Sequence, residues 1–184
     1  MHVIIATDGS KQSLAAAKYA TAVLDATKVT HVTVLAVVRR LAAHPRIVGI
    51  KDSAGTYESL KGFIDAARQA EDFVVFNGPD SLIHQGFVEG CAGAVSGLAN
   101  VAPREINAVW RRFQAGDIAG SRQAQEAVTR LRESLYKVAF APAAVKRAVR
   151  LLGFDVGNSK YPVRLSAEQD DAIRQVLRDC AIQP

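Results

Sequence analysis

Arg46-Ile47-Val48-Gly49-Ile50-Lys51-Asp52-Ser53 is the stretch on which the fold turns. Ile47, Val48 and Ile50 are β-branched, so Ile47–Lys51 reads as a short buried strand. It closes on Lys51. Downstream, Thr56–Ala70 places Leu60, Phe63, Ile64 and Ala67 on one helical stripe. Phe73–Phe76 is again strand-like, Asp80–Glu89 helical, and Ala92–Leu98 strand-like. Strand and helix in strict alternation predict βα units and a parallel sheet.

Upstream the same alternation holds. Val3–Thr7 reads as a first strand, Asp8-Gly9-Ser10 as a turn, and Ser10 can cap an alanine-rich helix running to about Thr27. His31–Leu35 reads as a second strand. Ala36–His44 fits either a continuation of that strand or a short helix, and parallel crossovers usually need about a dozen residues. A helix is therefore expected there.

After Pro103 only helical periodicity remains. Ile106, Val109, Trp110 and Phe113 share a face, and Gly116 stops that helix. Asp117 caps a longer one with Ala124, Val128, Leu131, Leu135 and Val138 in line. Pro142–Leu152 is another, ended by Gly153. Ser166-x-x-Gln169 forms a capping box for the last, which buries Ile173, Val176 and Leu177.

Composition excludes several classes. The chain has 184 residues, 49% hydrophobic and 22% charged, which is ordinary for a globular domain and unlike disorder. No apolar run reaches the roughly 18 residues of a membrane span. The first apolar run, Val3–Ala6, is too short for a secretory signal. Cys91 and Cys180 show neither metal spacing nor a disulfide framework, so a reducing cytoplasmic setting is expected, with no metal and no membrane partner. The net charge of +5 raises the question of nucleic acid. Arg111, Arg112, Arg130, Arg132, Lys146, Arg147 and Arg150 fall at helical spacing among apolar residues, however, and read as solvated helix faces, so no nucleic-acid partner is expected.

Two resemblances emerge from the motifs. Val3-Ile4-Ile5-Ala6-Thr7-Asp8-Gly9-Ser10, with Ser13, Ala16-Ala17, Tyr19-Ala20 and Val32-Thr33-Val34-Leu35, resembles the universal stress protein family over residues 1 to about 35. That resemblance implies a nucleotide-binding aspartate at Asp8. The family's glycine-rich phosphate loop has no match, because Gly90, Gly93 and Gly97 are spaced differently.

From about residue 36 to the end the chain resembles the dihydrodipicolinate synthase and N-acetylneuraminate lyase family. The likeness runs through Arg39–Ser53, Asn77-Gly78-Pro79-Asp80, Gly93–Pro103 and Ala144–Gly153. It implies the last three strands and the C-terminal helices of a (β/α)8 barrel. It also implies that Lys51 matches the lysine that forms an imine with pyruvate or a related 2-oxo acid, and that Gly78 and Val95 match pocket-wall positions. No cofactor is implied. The family's paired threonines and strand-five tyrosine have no counterpart, since Thr7 lies outside any such motif and Tyr19, Tyr57, Tyr136 and Tyr161 fall on helices or in a late loop.

Together the two resemblances suggest a chimera. Three barrel strands plus two stress-protein strands predict an α/β flavodoxin-like, doubly wound, five-stranded parallel sheet of order 2-1-3-4-5. Residues 1–103 would form the sheet domain and residues 104–184 a helical extension packed on it. An engineered fold chimera without efficient activity is the expected function. The alternatives are a weak pyruvate-dependent Schiff-base lyase and an adenine-nucleotide-binding stress protein. Asp8 and Lys51 would meet at the switch point, and self-association is expected through the apolar stripe of the C-terminal helices.

Overall fold

The computed structural model describes residues 38, 41–70, 72–160 and 163–183. The strands expected at Val3–Thr7 and His31–Leu35, the helix between them, and Asp8 with its contact to Lys51 lie outside the described residues. In the ambiguous segment 36–44, Val38, Leu41 and Ala42 are helical.

The chain divides into two units, Met1–Val95 and Ser96–Pro184. In the first, β1 (Gly49–Asp52), β2 (Val74–Asn77) and β3 (Gly93–Ala94) form a parallel sheet in the order β1-β2-β3. The register pairs Lys51 with Phe76 and Phe76 with Gly93, then Asp52 with Asn77 and Asn77 with Ala94. Between the strands run α1 (Tyr57–Ala67) and α2 (Ile83–Glu89), the latter entered through a 3-10 turn at Asp80–Leu82.

α1 forms because Thr56, in an extended conformation, accepts the Ser59 N–H and caps the first turn. Its stripe is the one read from the sequence: Leu60, Phe63, Ile64 and Ala67 are all buried. Burying a side chain of this size contributes about 1.5–3 kcal/mol, so the stripe outweighs the modest propensity of an 11-residue helix. Val75 and Ile83 complete this core. α2 ends where Gly90 adopts a left-handed φ of 105°.

The flavodoxin-like sheet of five strands in order 2-1-3-4-5 is corrected. Three strands are present among the described residues, and each βα unit advances the sheet by one position in the same direction. The strand expected over Ala92–Leu98 is also shorter. Pairing stops at Ala94, and the Ser96 hydroxyl accepts the Ala99 N–H to open a 3-10 turn at Leu98–Asn100. A serine-glycine pair competes with the ladder for backbone donors at that point.

The second unit is helical: α3 (Pro103–Gln114), α4 (Ile118–Val138), α5 (Ala141–Leu151) and α6 (Ala167–Asp179). Its punctuation follows the sequence reading. Asp117 accepts the Gly120 N–H at 2.8 Å, Gly116 and Gly153 take φ of 76° and 96°, and the Ser166–Gln169 capping box is fully formed. α4 packs against α3, α5 and α6. Leu131 and Leu135 are buried within this unit, and Val138 is half-buried. The large apolar side chains left exposed include Val74 and Val95 in the first unit. Among the described residues no helix is long and apolar enough to cross a membrane.

Candidate active site

Successive strand residues point to opposite faces, so each register row of the sheet is either a front or a back row. The back is defined by α2. A Cβ on Gly86 of that helix would lie 3.0 Å from the Asn77 Cβ, so Asn77 faces α2. Asp52, its register partner, shares that face. Lys51, Phe76 and Gly93 occupy the row on the opposite, front face. The Phe76 ring lies over Gly93, 2.9 Å from where a Cβ would be.

Lys51 is exposed on this front face near the carboxyl end of β1. Gly78, immediately after β2, lies against it. A Cβ on Gly78 would meet the Lys51 Cε at 2.8 Å, the Ser53 Oγ at 2.6 Å and the Asp52 carbonyl oxygen closer still. Only a residue without a side chain fits there. Val95 donates its N–H to the Asn77 carbonyl at 2.8 Å and is 52% exposed. The alternation from Gly93 brings it to the lysine's face. Lys51, Gly78 and Val95 are thus brought together at the carboxyl ends of three consecutive parallel strands.

Behind the lysine is a polar pair that the sequence reading did not single out. Asp52 and Asn77 are 2% and 0% exposed. One Asp52 oxygen accepts the Ala54 N–H at 3.0 Å and the Ser59 hydroxyl at 3.2 Å. The Asn77 amide donates to the Pro79 carbonyl at 2.9 Å. The other Asp52 oxygen and the Asn77 carbonyl oxygen are buried without a hydrogen-bond partner. Burial pushes the Asp52 carboxyl above its ordinary value, against the opposing hydrogen bonds from Ala54, Ser59 and Ser53. Buried acceptors cost free energy unless paired, and that cost falls on both residues.

Cys91 lies in the same layer, where a Cβ on Gly86 would stand 3.3 Å from its sulfur. Burial first, and then the Asp52 and Glu89 carboxylates, push its thiol up to about 11. It is a packed, inert thiol at neutral pH. Tyr57 donates its phenol to Glu89 at 2.6 Å, tying α1 to α2. That bond raises the phenol's pKa and lowers the carboxylate's. Among the described residues no group of three or more His, Cys, Asp and Glu side chains could hold a metal ion.

The dihydrodipicolinate synthetase family matches residues 19–179. This chain belongs to that family. A 4-hydroxy-tetrahydrodipicolinate synthase of Methanoculleus marisnigri is 34% identical over 141 residues, covering 76% of this chain and 48% of its own. The Archaeoglobus fulgidus enzyme is 32% identical over 142 residues, with coverage of 77% and 48%. The chain therefore spans about half the length of these curated relatives.

Among solved structures, a dihydrodipicolinate synthase from Bacillus anthracis superimposes with a TM-score of 0.70 at 30% identity, covering 78% of this chain and 49% of the other. One from Acinetobacter baumannii, solved with pyruvate, gives 0.71 at 26% identity, with coverage of 80% and 50%. The fold of the family's barrel enzymes thus replaces the flavodoxin-like expectation. The two share the right-handed βα unit, and the local pattern that specifies the unit does not specify whether the sheet curls or stays open.

The family match begins at residue 19, inside the segment that resembles the stress proteins. The comparisons support neither a stress-protein segment nor a chimera. The dihydrodipicolinate synthase likeness carries the chain.

Proposed function

We propose that this member of the dihydrodipicolinate synthetase family supplies the amine of a Schiff-base lyase acting on pyruvate or a related 2-oxo acid. Lys51 is the nucleophile, and Gly78 and Val95 are walls of its pocket. The observation that carries the reading is the approach of Gly78 to the Lys51 side chain at the carboxyl ends of β1 and β2. The Acinetobacter baumannii relative, solved with pyruvate, supports the substrate class.

The chemistry follows from the amine. The Lys51 ammonium loses a proton, and the nitrogen lone pair attacks the keto carbon of the 2-oxo acid. The carbonyl oxygen takes up a proton to give a carbinolamine. Loss of water then leaves a C=N bond in place of C=O, with the nitrogen bonded to the lysine Cε. The imine, once protonated, withdraws electrons from the adjacent carbon, which is how a covalent lysine splits a hard step into two easier ones. Gly78, having no side chain of its own, lets the Lys51 Cε pass close against the end of β2.

Carboxylate binding and proton relay need further groups, each typically worth orders of magnitude in rate. Tyr57 is not free for the relay, since its phenol is engaged with Glu89. The chain by itself is accordingly expected to form the imine and to turn over poorly. Borohydride reduction in the presence of pyruvate tests the reading. The parent chain should be labelled and Lys51→Ala should not; equal labelling of both would refute the assignment.

A further inference from the structure

The second unit contains a cleft of about 560 Å³ between α5 and the segment that follows it. Lys146, Arg147 and Arg150 of α5 line one side, and Asn158, Ser159 and Arg164 the other. In the sequence the three α5 cations read as a solvated helix face; the chain instead folds back over them and makes them the wall of a concavity.

The charges do not cancel. Arg147 pairs with Asp170 at 3.0 Å. Arg150 bonds the Asn158 side chain at 2.7 Å and lies 3.8 Å from Asp155, whose carboxylate is 87% exposed and also accepts the Gly157 N–H. Lys146 donates to the Asn158 carbonyl at 3.0 Å and, more weakly, to that of Val156 at 3.4 Å. Arg164 makes no hydrogen bond or ion pair with a described residue, and four cations thus face two carboxylates, one of them largely in water. A guanidinium carries five N–H donors in a planar fork, so most of the donors on Arg147, Arg150 and Arg164 remain unspent.

We propose that this cleft is a binding site for a small dianion, a molecule bearing a phosphate group or two carboxylates. Its volume falls within the range of ligand pockets. Unspent guanidinium donors match the paired oxygens of phosphate and carboxylate, and such charge-assisted bonds are the strong class. The concave shape suits a compact ligand better than a nucleic-acid backbone. Every lining residue belongs to the second unit, and the proposal does not rest on the chemistry proposed for Lys51.

Titration of the full chain with inorganic pyrophosphate and, separately, with glutarate tests this, with ionic strength held constant by sodium chloride. Saturable binding, read by calorimetry and as a rise in melting temperature, is expected for at least one probe. The tighter of the two identifies the ligand as phosphate-bearing or dicarboxylate. Arg164→Gln should weaken binding at least about tenfold, the loss expected for one charge-assisted hydrogen bond, and leave the ligand-free melting temperature unchanged, because Arg164 is exposed and makes no hydrogen bond or ion pair with a described residue. Arg150→Gln should also weaken binding, and Arg122→Gln on exposed α4 surface should have no effect. Failure of both probes to saturate, or Arg164→Gln binding as tightly as the parent, overturns the proposal.

Discussion

Gly78 stands so close to Lys51 that a methyl group at Gly78 would lie 2.8 Å from the lysine Cε. The same methyl would strike the Asp52 carbonyl oxygen, which is backbone and cannot swing aside. Gly78→Ala is therefore expected to spread β1 from β2 and cost about 1–3 kcal/mol, as overpacking does. Urea unfolding measures that cost. Pyruvate trapping on the folded fraction should fall as well, because the displaced group is the one carrying the amine. A variant as stable and as reactive as the parent would show that the two strand ends are not in contact.

Asp52→Asn should stabilise the chain at neutral pH and do little in acid. The carboxyl is raised by burial, so its folded value exceeds its unfolded value. Stability from such a group is fully present below the unfolded value and is lost as pH rises through the folded one. Asparagine keeps the acceptor used by Ala54 and Ser59 and carries no charge to desolvate. The gain at neutral pH comes from removing the burial cost of the charged form. Melting curves of both proteins across pH check it: the gap should open with rising pH, and a gap that closes instead would reverse the sign of the argument.

The two cysteines should differ in reactivity. Cys91 is buried with its thiol pushed up to about 11, whereas Cys180, its thiol also raised by burial, is only partly covered. A thiol-specific reagent at pH 8 should modify Cys180 first and reach Cys91 only as the protein unfolds. Peptide mapping of the modified protein reads this directly.

The sequence made the local elements legible because each is set by neighbours in the chain. Thr56, Asp117 and the Ser166–Gln169 pair cap helices where a side-chain oxygen can reach an N–H three residues on. Leu60, Phe63 and Ile64 are buried where the 3.6-residue period places them. The sheet's architecture was not legible in the same way. β1, β2 and β3 follow one another in an open sheet and in a barrel alike, and what differs is curvature accumulated over strands far apart. The early strand, turn and helix pattern pulled the reading toward a second parent, although the family match extends back to residue 19. Within the site, Lys51, Gly78 and Val95 were read from motif. Asp52 and Asn77 were passed over because a polar residue at a strand end usually meets water, and only the packing of α1 and α2 shows that these two do not.

The central claim is that Lys51 is the imine-forming amine, and the most direct test is to locate the adduct. The chain is incubated with isotope-labelled pyruvate, reduced with borohydride, digested and sequenced by mass spectrometry. The account predicts label on the peptide containing Lys51 and at that residue, lost in Lys51→Ala and reduced in Gly78→Ala. Label spread evenly over the surface lysines, or absent from Lys51 while present elsewhere, would contradict it.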